Sequence, residues 1–366
     1  MGRYSLIPVG FLIAIAGFIT SCNRDDQSFV IGGVLPLSGD AGSFGQNAAK
    51  GAQLAVEEAV SDRALRDTNV KFVAEDSRGD AAGASAAARK LLDFNKANVL
   101  IGDVTSAGTH AILPLLQDLS IPLISPAASD PKLTGASPFF ARVWPSDVFE
   151  AKIIGDYAAQ RFKKIAVVFA NTDYGVSMVA EFKRLVGMDK VCLDLGLARE
   201  TIDYRSSISR IRIERCDSVF LVLYPEDMLR FLTQMNESGI QIPRLATATF
   251  EDPRLLQVKL AEGVVFASPV PPSDSSPVRR RFLDHYKSRF KQEPGILSDT
   301  GYDAARLLIK ARAAVGSKGG RTIIDNVKQV RDFDGASGTL SFSATGDVTK
   351  PYALRTVRAG KFVVMQ

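Results

Sequence analysis

The chain has 366 residues, 46% of them hydrophobic and 23% charged, which is enough apolar material for a core and enough length for two domains. Its 45 basic and 40 acidic residues give a net charge of +5. This excess is small and spread along the chain, apart from the short run Arg279-Arg280-Arg281 at the start of an expected helix. Nucleic-acid binding is therefore excluded as the leading reading.

The N-terminus reads as an export segment. Arg3 is followed by an apolar run over residues 9–19, of signal-peptide length and too short to span a bilayer by itself. The run ends at Ile19-Thr20-Ser21-Cys22 and gives way at once to the polar Asn23-Arg24-Asp25-Asp26. Ile19-Thr20-Ser21-Cys22 resembles the bacterial lipoprotein lipobox, whose cysteine is acylated and becomes the mature N-terminus. Residues 1–21 are thus expected to be a signal peptide, Cys22 the lipidation site and residues 22–28 an anchor linker. Two or more acyl chains hold a protein stably where one is marginal. The other cysteines are Cys192, on an expected strand, and Cys216, at an expected helix end; a bridge and two separate thiols both remain open.

From residue 28 onward strands and helices alternate. Residues 29–35, 70–74, 99–101 and 122–125 read as strands, with helices over 46–60, 80–92 and 109–119 between them. This rhythm predicts α/β lobes with mostly parallel, doubly wound sheets. A second series begins with a helix over 147–161. Strands follow at 165–170, 191–195, 219–224, 245–249 and 263–266, with helices at 175–186, 206–213 and 226–237 between the first four of them. Arg142-Val143-Trp144-Pro145 and the Pro-rich residues 268–273 are the joints. Val278, Phe282, Tyr286 and Phe290 then mark one helix face, and helices over 302–315 and 322–330 complete the first lobe. Strands at 339–342, 352–357 and 361–365 close the chain. The expected division is 29–143 plus 273–334 for lobe 1 and 144–272 plus 335–366 for lobe 2. Repeated passage between lobes makes a hinge.

Ligands of open α/β sheets bind beyond the carboxyl ends of the strands, so the loops there hold the candidates. Thr105, Ser106 and Thr109 open a helix whose free N–H groups and dipole suit a carboxylate. The hydroxyls of Ser106 and Ser129 can add hydrogen bonds, although Ser106 can equally be a helix cap. Glu251 and Asp252 end a strand in the opposite lobe, where one of them can meet a ligand ammonium or cap a helix. Phe44, Trp144, Tyr174 and Tyr224 can wall an apolar side chain or serve as core packing. The Gly39-x-x-Gly42-x-x-Gly45 run fits no nucleotide loop. His110 and His285 are the only histidines, no metal-ligand spacing and no G-x-S-x-G elbow occur, and no cofactor is expected. The reading is of a binding protein and not an enzyme.

Five stretches together resemble the type I periplasmic binding proteins that serve branched-chain amino acid ABC transporters. They are Ile31-Gly32-Gly33-Val34-Leu35-Pro36-Leu37-Ser38-Gly39, Ile101-Gly102 through Ser106, Ile121 through Ser129, Asp173-Tyr174-Gly175, and Phe333 through Gly338 with Gly346-Asp347. The resemblance covers nearly all of the chain after residue 28. It implies two Rossmann-like lobes joined by three crossings, with a ligand enclosed between them. It implies that Ser106, Ala127 and Ser129 hold an amino acid's carboxylate and part of its ammonium, that Glu251 meets the ammonium, and that Tyr174, and less closely Tyr224, come from the second lobe. Phe44 and Thr105 depart from the family, standing where amino-acid binders often carry Tyr and some carry Cys. Such proteins also bind amides, urea and aromatic acids. The expected function is a monomeric, lipid-anchored solute-binding protein that captures a small molecule, an amino acid first, for an ABC permease. A ligand-sensing envelope lipoprotein of the same fold is the alternative, and an envelope enzyme the second alternative.

Overall fold

The computed structural model describes residues 1–2, 28–62, 69–199, 201–273, 276–316 and 318–365. Most of the expected signal peptide, Cys22 and the linker as far as residue 27 lie outside the described residues.

The first sheet comprises β1 (Phe29–Leu35), β2 (Val70–Asp76), β3 (Val99–Gly102), β4 (Leu123–Ser125) and β5 (Phe140–Arg142), all parallel, in the order β2-β1-β3-β4-β5. Helices α1 (Gly42–Ser61), α2 (Ala81–Asp93) and α3 (Ser106–Leu119) cover it. β1 is buried along its whole length, as a central parallel strand must be, which is why it reads as an unbroken apolar run. The second series runs α4 (Asp147–Arg161), β6 (Ile165–Ala170), α5 (Asp173–Val186), β7 (Val191–Leu197), α6 (Arg205–Ile213), β8 (Ser218–Val222), α7 (Pro225–Glu237), β9 (Arg244–Ala246) and β10 (Val265–Pro269). The chain then forms α8 (Pro277–Phe290), α9 (Ser298–Val315), α10 (Gly320–Lys328), the hairpin β11 (Phe333–Gly335) and β12 (Gly338–Leu340), and finally β13 (Tyr352–Arg358) and β14 (Lys361–Val364). The second sheet has the order β14-β13-β10-β9-β8-β6-β7, antiparallel only at β13 and β14.

Two doubly wound lobes thus stand where two were expected. The strand β5 is not among the expected strands, only its last residue, Arg142, lying in an expected joint, and β9 is shorter than expected because the chain turns at Ala248–Phe250. The end of the chain divides differently from the expected boundary. Ala336, Leu340, Phe342 and Val348 pack in the first lobe's core with Phe282, Tyr286 and Tyr302, and the chain joins the second sheet at β13. The reason is local: the hairpin β11–β12 has too few apolar residues to form a core of its own and is drawn onto α8 and α9. Cys192 on β7 and Cys216, just after α6, are joined in a disulfide with Cα atoms 6.1 Å apart and a sequence separation of 24. A loop of that length gives about 3.5 kcal/mol of chain-entropy stabilisation.

Two close contacts fix the return segment. A Cβ at Gly51 of α1 would stand 1.8 Å from the Ser298 carbonyl oxygen, and one at Gly301 of α9 2.2 Å from that of Ala48. Only glycine lets the two backbones touch at this crossing. At the hinge, the fully buried Arg142 at the end of β5 donates from Nε to Asp347 at 2.6 Å. It also donates to the carbonyls of Ala128 and Asp130 and to the Thr134 hydroxyl. Replacing Arg142 with Leu leaves Asp347 and these acceptors without their donor. We expect a loss of about 3–5 kcal/mol, read by denaturant titration; a loss under about 1 kcal/mol would show that water satisfies the acceptors.

Candidate functional site

The sheet orders locate the site. In the first sheet, strand order reverses between β1 and β3, and the loops and helix starts after these strands carry Phe44 and Val104, Thr105 and Ser106. In the second it reverses between β6 and β8, followed by Tyr174 and Tyr224. Crevices outside such switch points are where open α/β sheets bind ligands, and here the two crevices face each other. The space between them, about 470 Å³, is bounded on the first lobe by Phe44, Thr105, Ser106, Ala127 and Ser129, and on the second by Glu150, Tyr174, Tyr224, Ala248 and Thr249. Trp144, Ile296 and Leu297 close its apolar end.

Seven of the expected site residues therefore meet in one cleft: Phe44, Thr105, Ser106, Ala127, Ser129, Tyr174 and Tyr224. Glu251 does not join them. Beyond β9 the chain turns tightly, so that Ala248 and Thr249 face the cleft, and Glu251 is carried past it into an ion pair with Arg355 of β13. Asp252 caps the next turn and binds Arg254 at 2.9 Å. The acid that does face the cleft is Glu150, on the first turn of α4. Its sequence signal was weak, because Asp147 and Glu150 after Ser146 read simply as the acidic first turn of a helix.

On the first lobe, Thr105 rather than Ser106 caps α3, accepting from the Gly108 N–H at 3.1 Å. The N–H of Thr105 is held by the buried carboxylate of Asp103 at 2.7 Å. Helix geometry leaves the N–H groups of Ser106 and Ala107 without intrahelical carbonyls. The Ser106 hydroxyl accepts from the Asp130 N–H at 3.2 Å, so its own proton can point into the cleft. Free N–H groups at a helix start favour a negatively charged group. The Tyr174 hydroxyl donates to Thr247 at 2.8 Å, and its ring lies 5.9 Å from that of Tyr224, making a fixed aromatic wall on the second lobe.

The acids beside the hinge have the opposite character. Glu150 is 2% exposed, accepts the Ala248 N–H at 2.6 Å and forms no ion pair among the described residues. Burial, with the Asp147 charge second, pushes its carboxyl well above the usual range. Burial also pushes Asp147 up to about 7, against the pull of the Ser129 and Ser177 hydroxyls. One oxygen of Asp147 and the nearby Tyr352 hydroxyl are buried without a hydrogen-bond partner among the described residues. Arg142 lies near enough to Asp147 to oppose its upward shift, whereas Glu150, buried with no ion pair among the described residues, is in an environment that favours a positively charged guest.

The lobes already touch across the cleft mouth. Arg199, in the loop after β7, donates to the Arg78 carbonyl at 2.6 Å and stands 3.9 Å from Asp80 and 4.0 Å from Asp40. Among the described residues no cluster of His, Cys, Asp or Glu is arranged to hold a metal ion, and no helix is long and apolar enough to cross a membrane.

Two doubly wound lobes enclosing a cleft lined by a helix start, a buried acid and aromatic rings are the architecture of a protein that captures a small solute. The chain belongs to the periplasmic binding protein family, whose sequence profile matches residues 28–361. It is 23% identical over 345 residues to the leucine-, isoleucine-, valine-, threonine- and alanine-binding protein of Pseudomonas aeruginosa, covering 92% of this chain and 91% of that one. A leucine binding protein from Thermotoga maritima superposes with a TM-score of 0.85 at 26% identity, covering 92% of this chain and 98% of that one. A solute binding protein of an R. palustris ABC transporter, solved with benzoate, superposes with a TM-score of 0.84 at 22% identity, covering 92% of this chain and 95% of that one. These relatives are binding proteins.

The raised Asp147 carboxyl carries a stability signature. Its folded pKa of about 7 lies above the ordinary 3.8, so the folded chain holds this proton longer than the unfolded chain. Its contribution is fully present below the ordinary value and is lost as pH rises toward 7. Asp147→Asn is expected to leave the ligand-free melting midpoint near wild type at pH 4 and to raise it at pH 8. A midpoint difference that does not grow with pH would show that Asp147 ionises at its ordinary value.

Proposed function

We propose that the chain is an extracytoplasmic solute-binding lipoprotein that encloses a small α-amino acid and presents it to an ABC permease, without a chemical step. The observation that carries the ligand class is Glu150, a buried carboxyl group without an ion pair among the described residues that faces the same cleft as the open N-terminus of α3. A zwitterion answers both ends. Its carboxylate takes the N–H groups of Ser106 and Ala107 with the hydroxyls of Ser106 and Ser129. Its ammonium takes Glu150 in the role that the sequence reading gave to Glu251. Its side chain lies against Phe44, Trp144, Ile296 and Leu297.

Capture follows from where these groups sit. The anion site is on the first lobe and the acid on the second, so a ligand held by one lobe gains the other's contacts only when the lobes close. A ligand shifts the equilibrium toward closure only by as much as that extra affinity. Tethering through Cys22 would keep the closed form at high effective concentration beside a membrane partner. The division into lobes, with crossings near residues 143–146, after Pro269 and before Tyr352, belongs to the same proposal.

The test compares ligand classes. Calorimetric titration of the mature protein should show binding of alanine, valine or leucine with release of a proton, because an ammonium beside Glu150 draws its raised carboxyl back to the charged form. Affinity should therefore rise with pH. Glu150→Gln should weaken this binding by about 30-fold or more, the effect of removing one partner of a buried charge pair. Binding of benzoate with no binding of any amino acid, or an unchanged affinity in the variant, would overturn the ammonium assignment. Separately, Cys22→Ser should move the protein from the membrane fraction to the soluble one; continued membrane association would overturn the anchor.

A further inference from the structure

Trp144, Ile296 and Leu297 line the ligand cleft and also line a second chamber behind it, a space of about 820 Å³. That chamber is also lined by polar groups, among them Glu251, Thr300, Ser337 and Lys350. Lys350 is 5% exposed and donates to the Ser337 hydroxyl at 2.8 Å and to the Ser337 carbonyl at 3.2 Å. The two spaces are divided by the side chains they share.

Leu297 is the unusual member of that wall. Its backbone sits at φ 70° and ψ −1°, in the left-handed region that a branched side chain occupies at a steric cost and glycine does not. Such a conformation persists only where its surroundings fix it. Here the Leu297 carbonyl accepts from the Thr300 hydroxyl at 3.2 Å and from the Gly301 N–H at 3.0 Å. Gly301 is itself pressed onto α1 at Ala48. A glycine would meet these backbone demands without strain. What leucine adds is a side chain, 3% exposed, packed with Leu35, Phe44 and Val104 at the apolar end of the cleft.

We infer that Leu297 is a specificity-determining residue: with Trp144 and Ile296 it partitions the cleft from the second chamber and so limits the length of the ligand's apolar part. The inference rests on reading the cleft as the ligand site, but not on the ligand's head group. Opening the wall would give a longer solute a path toward the polar groups of the second chamber.

The mature protein carries a single tryptophan, Trp144, in that wall, so its intrinsic fluorescence reports occupancy directly. Wild type, Leu297→Gly and Leu297→Ala are titrated with two length series. One is alanine, valine, leucine and phenylalanine; the other is benzoate, phenylacetate and 3-phenylpropionate. In whichever series wild type binds, the ratio of long-ligand to short-ligand affinity should rise at least about tenfold in Leu297→Gly, the scale of one or more methylene groups in an apolar pocket. Leu297→Ala retains a Cβ, and about threefold is expected. A ratio unchanged within about twofold in both variants would overturn the partition. An amino-acid series silent in wild type beside a responsive aromatic series would overturn the amino-acid reading while still testing the partition. Silence of both series toward all three proteins would overturn the cleft as ligand site and the partition with it.

Discussion

The buried ion pair between Arg142 and Asp347 is the constraint on which the rest of this molecule depends. A guanidinium taken wholly out of water must have its donors satisfied, or its burial is prohibitive. Arg142 meets that demand with one carboxylate, two backbone carbonyls and a hydroxyl. These partners belong to segments distant in sequence. They bind the exit of β5 to the loop over residues 128–134 and to the passage that leads to β13. The Arg142 N–H also bonds the Gly346 carbonyl at 2.9 Å. The exit of β5 and the approach to β13 are thereby joined side by side.

The same knot sets the chemistry of the cleft. The loop that Arg142 anchors carries Ser129, whose carbonyl accepts the Asp147 N–H at 2.9 Å, and so fixes the start of α4 and its two acids. Asp147 and Glu150 are therefore held in a low-dielectric interior, close enough for the Asp147 charge to raise Glu150's cost of ionisation. Structural stability alone gives no reason to keep them, since apolar residues of similar size would be easier to bury. Their cost is concentrated where a cationic group would relieve it, opposite helix N–H groups that prefer an anion. Polarity across the cleft is thus the converse of a zwitterion's.

The return segment contributes differently. Helices α8 and α9 belong to the first core by packing, although they come after the whole second series in sequence. The glycine contacts between α1 and α9 hold the first turn of α9 rigidly against the first lobe. That rigidity lets a strained leucine stand at the apolar end of the cleft. Shape at this end is consequently a property of a helix start and not of a mobile loop.

Much of this was legible in the sequence. The alternation of buried strands and amphipathic helices fixed the α/β class, because a parallel sheet covered on both faces requires unbroken apolar runs such as residues 29–35. Loops after those runs pointed to Phe44, Thr105, Ser106, Ala127, Ser129, Tyr174 and Tyr224, since strand ends at a switch point are set by topology. The sequence did not distinguish Glu150 from an ordinary helix-start acid, and it extended β9 far enough to favour Glu251. Tertiary structure decided both, through the turn at Ala248–Phe250 and the pairing of Glu251 with Arg355. It also decided the Cys192–Cys216 bridge, the attachment of β11 and β12 to the first core, and the strain at Leu297. Each of these depends on which distant segments lie together, and periodicity carries no information about that. Local pattern records which face of an element is buried; only packing determines what it is buried against.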